Sequence, residues 1–342
     1  MTDLPILVFH MDWSSQPAKR WMAWALRISP EAYQIHAPIL VSSGAEVWDF
    51  IRALLTQEES ALIGCDFPIG LPLEYAQKIN CENFLDFLAQ LEDGVWPDFF
   101  RVADQPEDIA LERPFYPARS GGKRLKHLVQ GLGFSRAQAL WRLCDRATPY
   151  RRAAAPLFWT LGAQQVGKAA LSGWRELLIP ARHLTFPQVK VWPFQGLLQD
   201  LLRPSTAVIA ETYPAEYYVP LGLNLHLAPS GSRKGKRSLH TRQANAPRLL
   251  RAMRELGGNP TPELEEAIQA GFGTSPVAED AFDALVGLLG MLMVLRGELP
   301  ANPPAETPSA IEGWIFGLRI ENKGYNEIGL ASRSRSPFPY PE

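Results

Sequence analysis

Two apolar runs constrain this chain more than any other feature, because each one ends on an aspartate. Residues 4–12 (LPILVFHMD) and 60–66 (SALIGCD) are nearly continuous hydrophobic stretches. Runs without polar alternation are the pattern of strands buried on both faces, as in a sheet covered by helices. Between them, 21–28 (WMAWALRI) and 33–40 are separated by a polar break at Ser29-Pro30, which predicts a meander of antiparallel strands. Residues 45–55 place Val47, Phe50, Ile51, Leu54 and Leu55 on one helical stripe. The order is strand, strand, strand, helix, strand, and the class is α/β.

From residue 68 to about 189 the pattern turns helical and is broken often by Pro and Gly. Strand-like sequence then resumes at 188–193 (QVKVWP) and 206–212 (TAVIAET). The stretch 68–189 is therefore expected as a large, mainly helical insertion into a single domain spanning 1–330, not as a second domain. A basic segment follows, Ser230-Gly-Ser-Arg-Lys-Gly-Lys-Arg237, then a helix around 246–256. The last strong helix is expected from about Pro276 to Arg296, capped by Ser275 with Pro276 in its first turn. The end, 331–342, is rich in Ser, Pro and Arg and is expected to be a flexible tail.

With 46% hydrophobic residues the chain can bury a substantial core, and 34 basic side chains nearly balance 36 acidic ones. A net charge of −2 offers no global attraction for nucleic acid, so such binding would need a local basic patch. Three cysteines without a CxxC spacing make neither a disulfide framework nor a zinc site. The start lacks the basic stretch and apolar run of a signal peptide, and the apolar stretch 284–295 is shorter than the ~20 residues a bilayer requires. A cytoplasmic chain with no membrane contact is expected. No Walker loop or Gly-x-Gly-x-x-Gly run is present, which leaves ATP or NAD use unsupported.

Asp12 and Asp66 close the two buried strands, and carboxylates there face the crevice where α/β sheets bind ligands. Asp280 and Asp283, three apart, share one face of the final helix. Phe282, Leu285, Val286, Leu289 and Met293 form its packed side, and Ala281, Ala284, Gly287 and Gly290 would let it lie close to the sheet. Clustered carboxylates repel one another, a cost offset by a divalent cation. Hard oxygen ligands without Cys or His favour Mg²⁺ or Mn²⁺. Each residue alone also has a plainer role: Asp12 as a turn cap, Asp280 as a complement to the helix N-terminus. Glu211 either binds metal or holds the Tyr213-Pro214 turn. His10 reads as a satisfied core histidine ahead of an acid–base group. Of the two basic runs, 123–126 and 233–237, the second is the better phosphate clamp, with Lys234, Lys236 and Arg237 as its candidates. Trp21, Trp24 and Trp192 read as strand residues in the core.

Four segments in order, His10-Met-Asp-Trp-Ser14, Cys65-Asp-Phe-Pro-Ile-Gly-Leu-Pro72, Glu211-Thr-Tyr-Pro214 and Asp280-Ala-Phe-Asp-Ala-Leu285, carry a resemblance to a known family. The chain resembles the DUF429 family of ribonuclease H-like nucleases over most of its length. The resemblance implies a ribonuclease H-like mixed sheet flanked by helices. It also implies an acidic centre of Asp12, Asp66 and Asp283, with Asp280 and Glu211 contributing.

The function expected from these readings is metal-dependent phosphodiester hydrolysis on DNA or RNA. Two alternatives stay open, a non-catalytic scaffold of the same fold and a hydrolase of a small phosphate ester.

Overall fold

Seven strands form one mixed sheet: β1 (Leu7–Asp12), β2 (Trp21–Ser29), β3 (Ala32–Leu40), β4 (Ser60–Cys65), β5 (Gln188–Val191), β6 (Thr206–Glu211) and β7 (Gly258–Pro260). The structure is a computed structural model that describes residues 4–161, 166–226 and 235–320. Their order across the sheet is β5-β6-β4-β1-β2-β3-β7. The predicted meander is present, since β2 runs antiparallel to both β1 and β3. All the other pairings are parallel. β7 has no counterpart in the sequence reading, because Gly258-Asn-Pro reads as a turn; its pairing to β3 comes from tertiary packing.

Helices cover both faces, as the unbroken hydrophobicity of β1, β4 and β6 requires. They are α1 (Gly44–Leu54), α2 (Leu73–Lys78), α3 (Phe84–Glu92), α4 (Leu125–Gly131), α5 (Val166–Gly173), α6 (Ile179–Ala181), α7 (Leu198–Leu201), α8 (Leu239–Glu255), α9 (Pro262–Gln269), α10 (Ala278–Leu295) and α11 (Ser309–Glu312). Alternate residues of β1 divide between two cores. Leu7, Phe9 and Met11 face α1 and the inserted segment, whereas Val8 faces α8 and α10.

Three boundaries differ from expectation. The insertion contains α2 to α6, but long irregular stretches separate them; prolines at 97, 106, 114, 117, 149 and 156 interrupt the hydrogen-bond ladder a longer helix needs. α8 begins at Leu239, seven residues earlier than its apolar stripe suggests, with the Ser238 side chain accepting from Thr241 N. α10 begins at Ala278, not Pro276; the Ser275 hydroxyl accepts instead from Val277 N within its own turn. Trp192 is buried but follows β5 instead of lying within it. The tail 331–342 lies outside the described residues.

The packing of α10 sets the geometry of everything near the carboxylates. Its glycines are where the sheet side comes closest, as the small-residue pattern predicts. A Cβ on Gly287 would lie 2.0 Å from Nε2 of His10, and one on Gly290 would lie 2.2 Å from the Tyr217 ring. His10 on β1 and Gly287 on α10 are therefore in direct contact. Two residues onward along β1 is ~6.6 Å, and four residues back along α10 is ~6 Å. Asp12 and Asp283 stand at these matching offsets, so their carboxylates arrive together at the open end of the sheet.

Gly287→Ala is expected to destabilise the protein by about 1–3 kcal/mol through overpacking, measured by urea unfolding. Combining it with His10→Ala should cost less than the two single changes summed. An unchanged midpoint for Gly287→Ala would show that α10 does not need this close approach.

Candidate functional site

Strand register places the first two carboxylates side by side. β1 and β4 pair with Met11 opposite Cys65, and Asp66 N donates to the Met11 carbonyl (2.9 Å), so Asp12 and Asp66 are the next residues out on neighbouring parallel strands. Val8 and Leu62 face α10, and by period two so do Asp12 and Asp66. Asp283 reaches them from α10, and Asp280 lies one turn earlier at the cleft edge. All four line a cavity of about 690 Å³ at the carboxyl ends of the central strands.

Negative charge dominates this cleft. Burial, then Asp283 and Asp66, push the Asp12 carboxyl well above the usual carboxylate range. Asp66 is lifted to about 7, first by burial and then by Asp283, although Lys236 and a hydrogen bond with Asp12 pull it down. Burial raises Asp280 to about 6. It raises Asp283 as well, opposed by Lys236 and by Tyr218, whose hydroxyl donates to Asp283 Oδ1 at 2.5 Å. Lys236 donates to the other oxygen, Oδ2.

Of the proposed phosphate-clamp residues, Lys236 is thus an ion-pair partner of the acidic centre itself. Arg237 stands beside it at 3.3 Å from Glu279 and also lines the cleft. Lys234 lies outside the described residues.

Glu211 lines the same cleft but is held by other partners. By the same alternation it points to the opposite face of the sheet, where Ala207 and Ile209 also point. There it receives both terminal nitrogens of Arg142 at 2.6 Å and the amide of Ile69 at 2.6 Å. Arg142 is fully buried and also binds Asp145 and the carbonyls of Ile69 and Glu312. The contacts seen for Glu211 are with Arg142 and the Ile69 amide, not with the Tyr213-Pro214 turn. Glu211 anchors the inserted segment and the chain near α11 onto the end of β6. Thr212, the residue just past β6, is on the carboxylate side by the same alternation, and its buried hydroxyl has no hydrogen-bond partner among the described residues.

His10 is core, as expected, but not a satisfied one. It is fully buried, neither ring nitrogen makes a well-formed hydrogen bond, and burial drives its pKa down to about 3. A neutral ring wedged under Gly287 is a packing element, not an acid or base at neutral pH.

Two carboxylate groupings are candidates for a metal. Cys144, Asp145 and Glu211 are the set of three whose ligand atoms all fall within 4.8 Å among the described residues. Arg142 already ion-pairs with both of its carboxylates, and burial raises the Cys144 thiol far above its usual range, so this set fits a cation poorly. Asp12, Asp66 and Asp283 are less tightly drawn together, since Lys236 holds Asp283. Their donors are hard oxygens on mutually repelling aspartates, of which Asp283 is ion-paired to Lys236. This donor set fits Mg²⁺ or Mn²⁺ in kind.

The sequence reading missed Arg142, Tyr218 and Lys168 as parts of this region. Only a buried arginine in an otherwise apolar context signals the first, and nothing local signals the other two.

Fold and site together define an α/β protein with a seven-stranded mixed sheet and a carboxylate-floored cleft at its strand ends. No family model, curated protein or solved structure matches the chain. Among the described residues no helix is long and apolar enough to cross a membrane.

Two outcomes test this electrostatic picture. Arg142→Met should destabilise the protein by roughly 3–5 kcal/mol in urea unfolding, because Glu211 and Asp145 are left buried without their cation. A carboxyl raised in the folded state holds its proton where the unfolded chain has lost it. For Asp66 that window lies between its ordinary value of 3.8 and about 7, and stability falls as pH rises through it. In EDTA the thermal midpoint should drop from pH 5 to pH 8, and Asp66→Asn should flatten that slope. Equal slopes in both proteins would contradict the charge crowding.

Proposed function

We propose that this chain is a metal-dependent phosphodiester hydrolase of ribonuclease H-like architecture, acting on nucleic acid. The convergence of Asp12, Asp66 and Asp283 at the strand ends, with Asp280 alongside, carries the reading. The meander of β1 to β3 continuing into parallel β4 and β6, and the motif resemblance to DUF429 nucleases, support it.

Asp12, Asp66 and Asp283 would hold Mg²⁺ or Mn²⁺, which supplies an activated water and neutralises charge on the leaving oxygen. The chain's own residues do the rest. Burial and mutual repulsion keep the three carboxylates poised to give up protons in exchange for a cation. Tyr218 orients Asp283 through its hydroxyl. Lys236 and Arg237, beside the carboxylates, are placed to take the negative oxygens of a phosphodiester. The floor of the cleft is sealed from below by His10 and the buried face of α10, which excludes bulk water from beneath the centre.

The Lys236–Asp283 pair is the observation that favours the second reading, a non-catalytic scaffold. An ammonium already compensates part of the acidic cluster, as a purely structural cluster would require.

A panel of labelled DNA and RNA substrates, including a four-way junction, separates the two when incubated with Mg²⁺ and with Mn²⁺. Metal-dependent cleavage is expected. Asp12→Asn and Asp283→Asn should each lose more than about 100-fold, beyond the 10–100-fold that losing an outer partner of a metal site costs. No cleavage together with no metal-induced rise in melting temperature would leave the scaffold reading. Metal binding without cleavage of any strand would point to a small phosphate ester.

A further inference from the structure

We infer that Lys168, on α5 of the inserted segment, binds a second phosphate of the substrate, so that the cleft takes a nucleic-acid strand and not a lone phosphate ester. This rests on the hydrolase reading and extends it to a substrate-binding residue outside the acidic centre.

α5 is fastened to the residues that follow both strand-end aspartates. Trp13, next to Asp12, donates its indole nitrogen to Ser172 Oγ at 2.6 Å. Phe67, next to Asp66, lies flat against Gly173, where a Cβ would come within 2.5 Å of the ring. Just beyond, Glu176 receives Arg20 at 2.6 and 2.9 Å, and Arg20 in turn donates to the Ser14 carbonyl at 2.6 Å and covers the Trp13 ring. Arg20 is essentially buried, and its partner Glu176 is partly exposed. The helix therefore holds a fixed place relative to Asp12 and Asp66.

Lys168 lies four residues before Ser172 and so shares the face of α5 that meets the end of β1. From there it lines the carboxylate cleft. It is half-buried, and it makes no hydrogen bond or ion pair among the described residues. Every other arginine or lysine on the cleft wall has an acidic neighbour: Lys236 has Asp283, Arg237 has Glu279, and Lys19 acts on Asp280. Among the described residues, Lys168 alone of these cleft-wall cations has no assigned anion. It belongs to α5, on the Trp13 and Phe67 side of the cleft, whereas Lys236 and Arg237 pair with Asp283 and Glu279 of α10.

One phosphate over the carboxylates would engage Lys236 and Arg237. A second anion would engage Lys168, and consecutive phosphates of one strand provide it. The cleft, at about 690 Å³, is also within the size range of sites that enclose a whole organic ligand, larger than a bare phosphate requires. The insertion would thus contribute substrate binding as well as structure.

Fluorescence anisotropy of a short labelled single-stranded oligonucleotide tests this in an Asp12→Asn background, at several salt concentrations. Lys168→Gln should weaken binding of all sequences alike and lower the slope of log K against log salt by about 0.7, one released counterion's worth. Lys168→Arg should keep the slope. A mononucleotide should compete equally well with Lys168→Gln and its parent once normalised to the strand. An unchanged slope, or an equal loss of mononucleotide binding, would overturn the inference while cleavage by the unsubstituted chain left the hydrolase reading standing. If that chain neither binds nor cuts any strand, the hydrolase reading falls and this inference falls with it.

Discussion

Close packing of α10 on β1 is the constraint on which the rest of the site depends. A helix can approach a sheet this nearly only where side chains are missing, and Gly287 and Gly290 supply the gaps that His10 and Tyr217 fill. Asp283 is then carried to the end of β1 by the geometry of two regular elements, without any loop to position it. Sites built on rigid elements are held more closely than sites on loops. The buried, unsatisfied imidazole of His10 is a cost accepted inside this contact; its neutral form keeps that cost lower than a charged ring would.

Two faces of the same sheet end handle charge in opposite ways. On the α10 face, four aspartates crowd together with Lys236 paired to Asp283, and burial, then their mutual repulsion, raises the proton affinities of Asp12 and Asp66. On the other face, Glu211 and Asp145 meet a buried arginine that satisfies both in forked geometry. The second arrangement is closed and structural: it joins β6, the inserted segment and the α11 region in one network. The first is open to a cleft and undercompensated. Adjacent strands can host both because successive side chains alternate across the sheet.

The inserted segment shares one hydrophobic cluster with the sheet and α1. Trp13, Phe67 and Arg20 on the core side are matched by Ser172, Gly173 and Glu176 on the other, and Arg142 reaches across to Glu211. An independently folding domain would make fewer contacts of this buried kind. Its irregular stretches are held by such anchors in place of long helices, which its prolines forbid.

Sequence alone determined the strand–meander–helix–strand order, the aspartates at the ends of β1 and β4, and the face shared by Asp280 and Asp283. These are local: hydrophobic runs and periods of two and 3.6 encode them directly. The same period of two, applied to β6, separates Glu211 from Asp66, since Glu211 is level with Cys65 and not with the aspartate. Tertiary structure alone decided which partners the charges take. Arg142 is 69 residues from Glu211, and Lys236 is 47 from Asp283. No local pattern carries such pairings, nor the three-residue strand β7, whose ladder exists only because β3 lies beside it. Burial selects them, because a charge taken out of water must find its counter-charge wherever the fold brings one within reach.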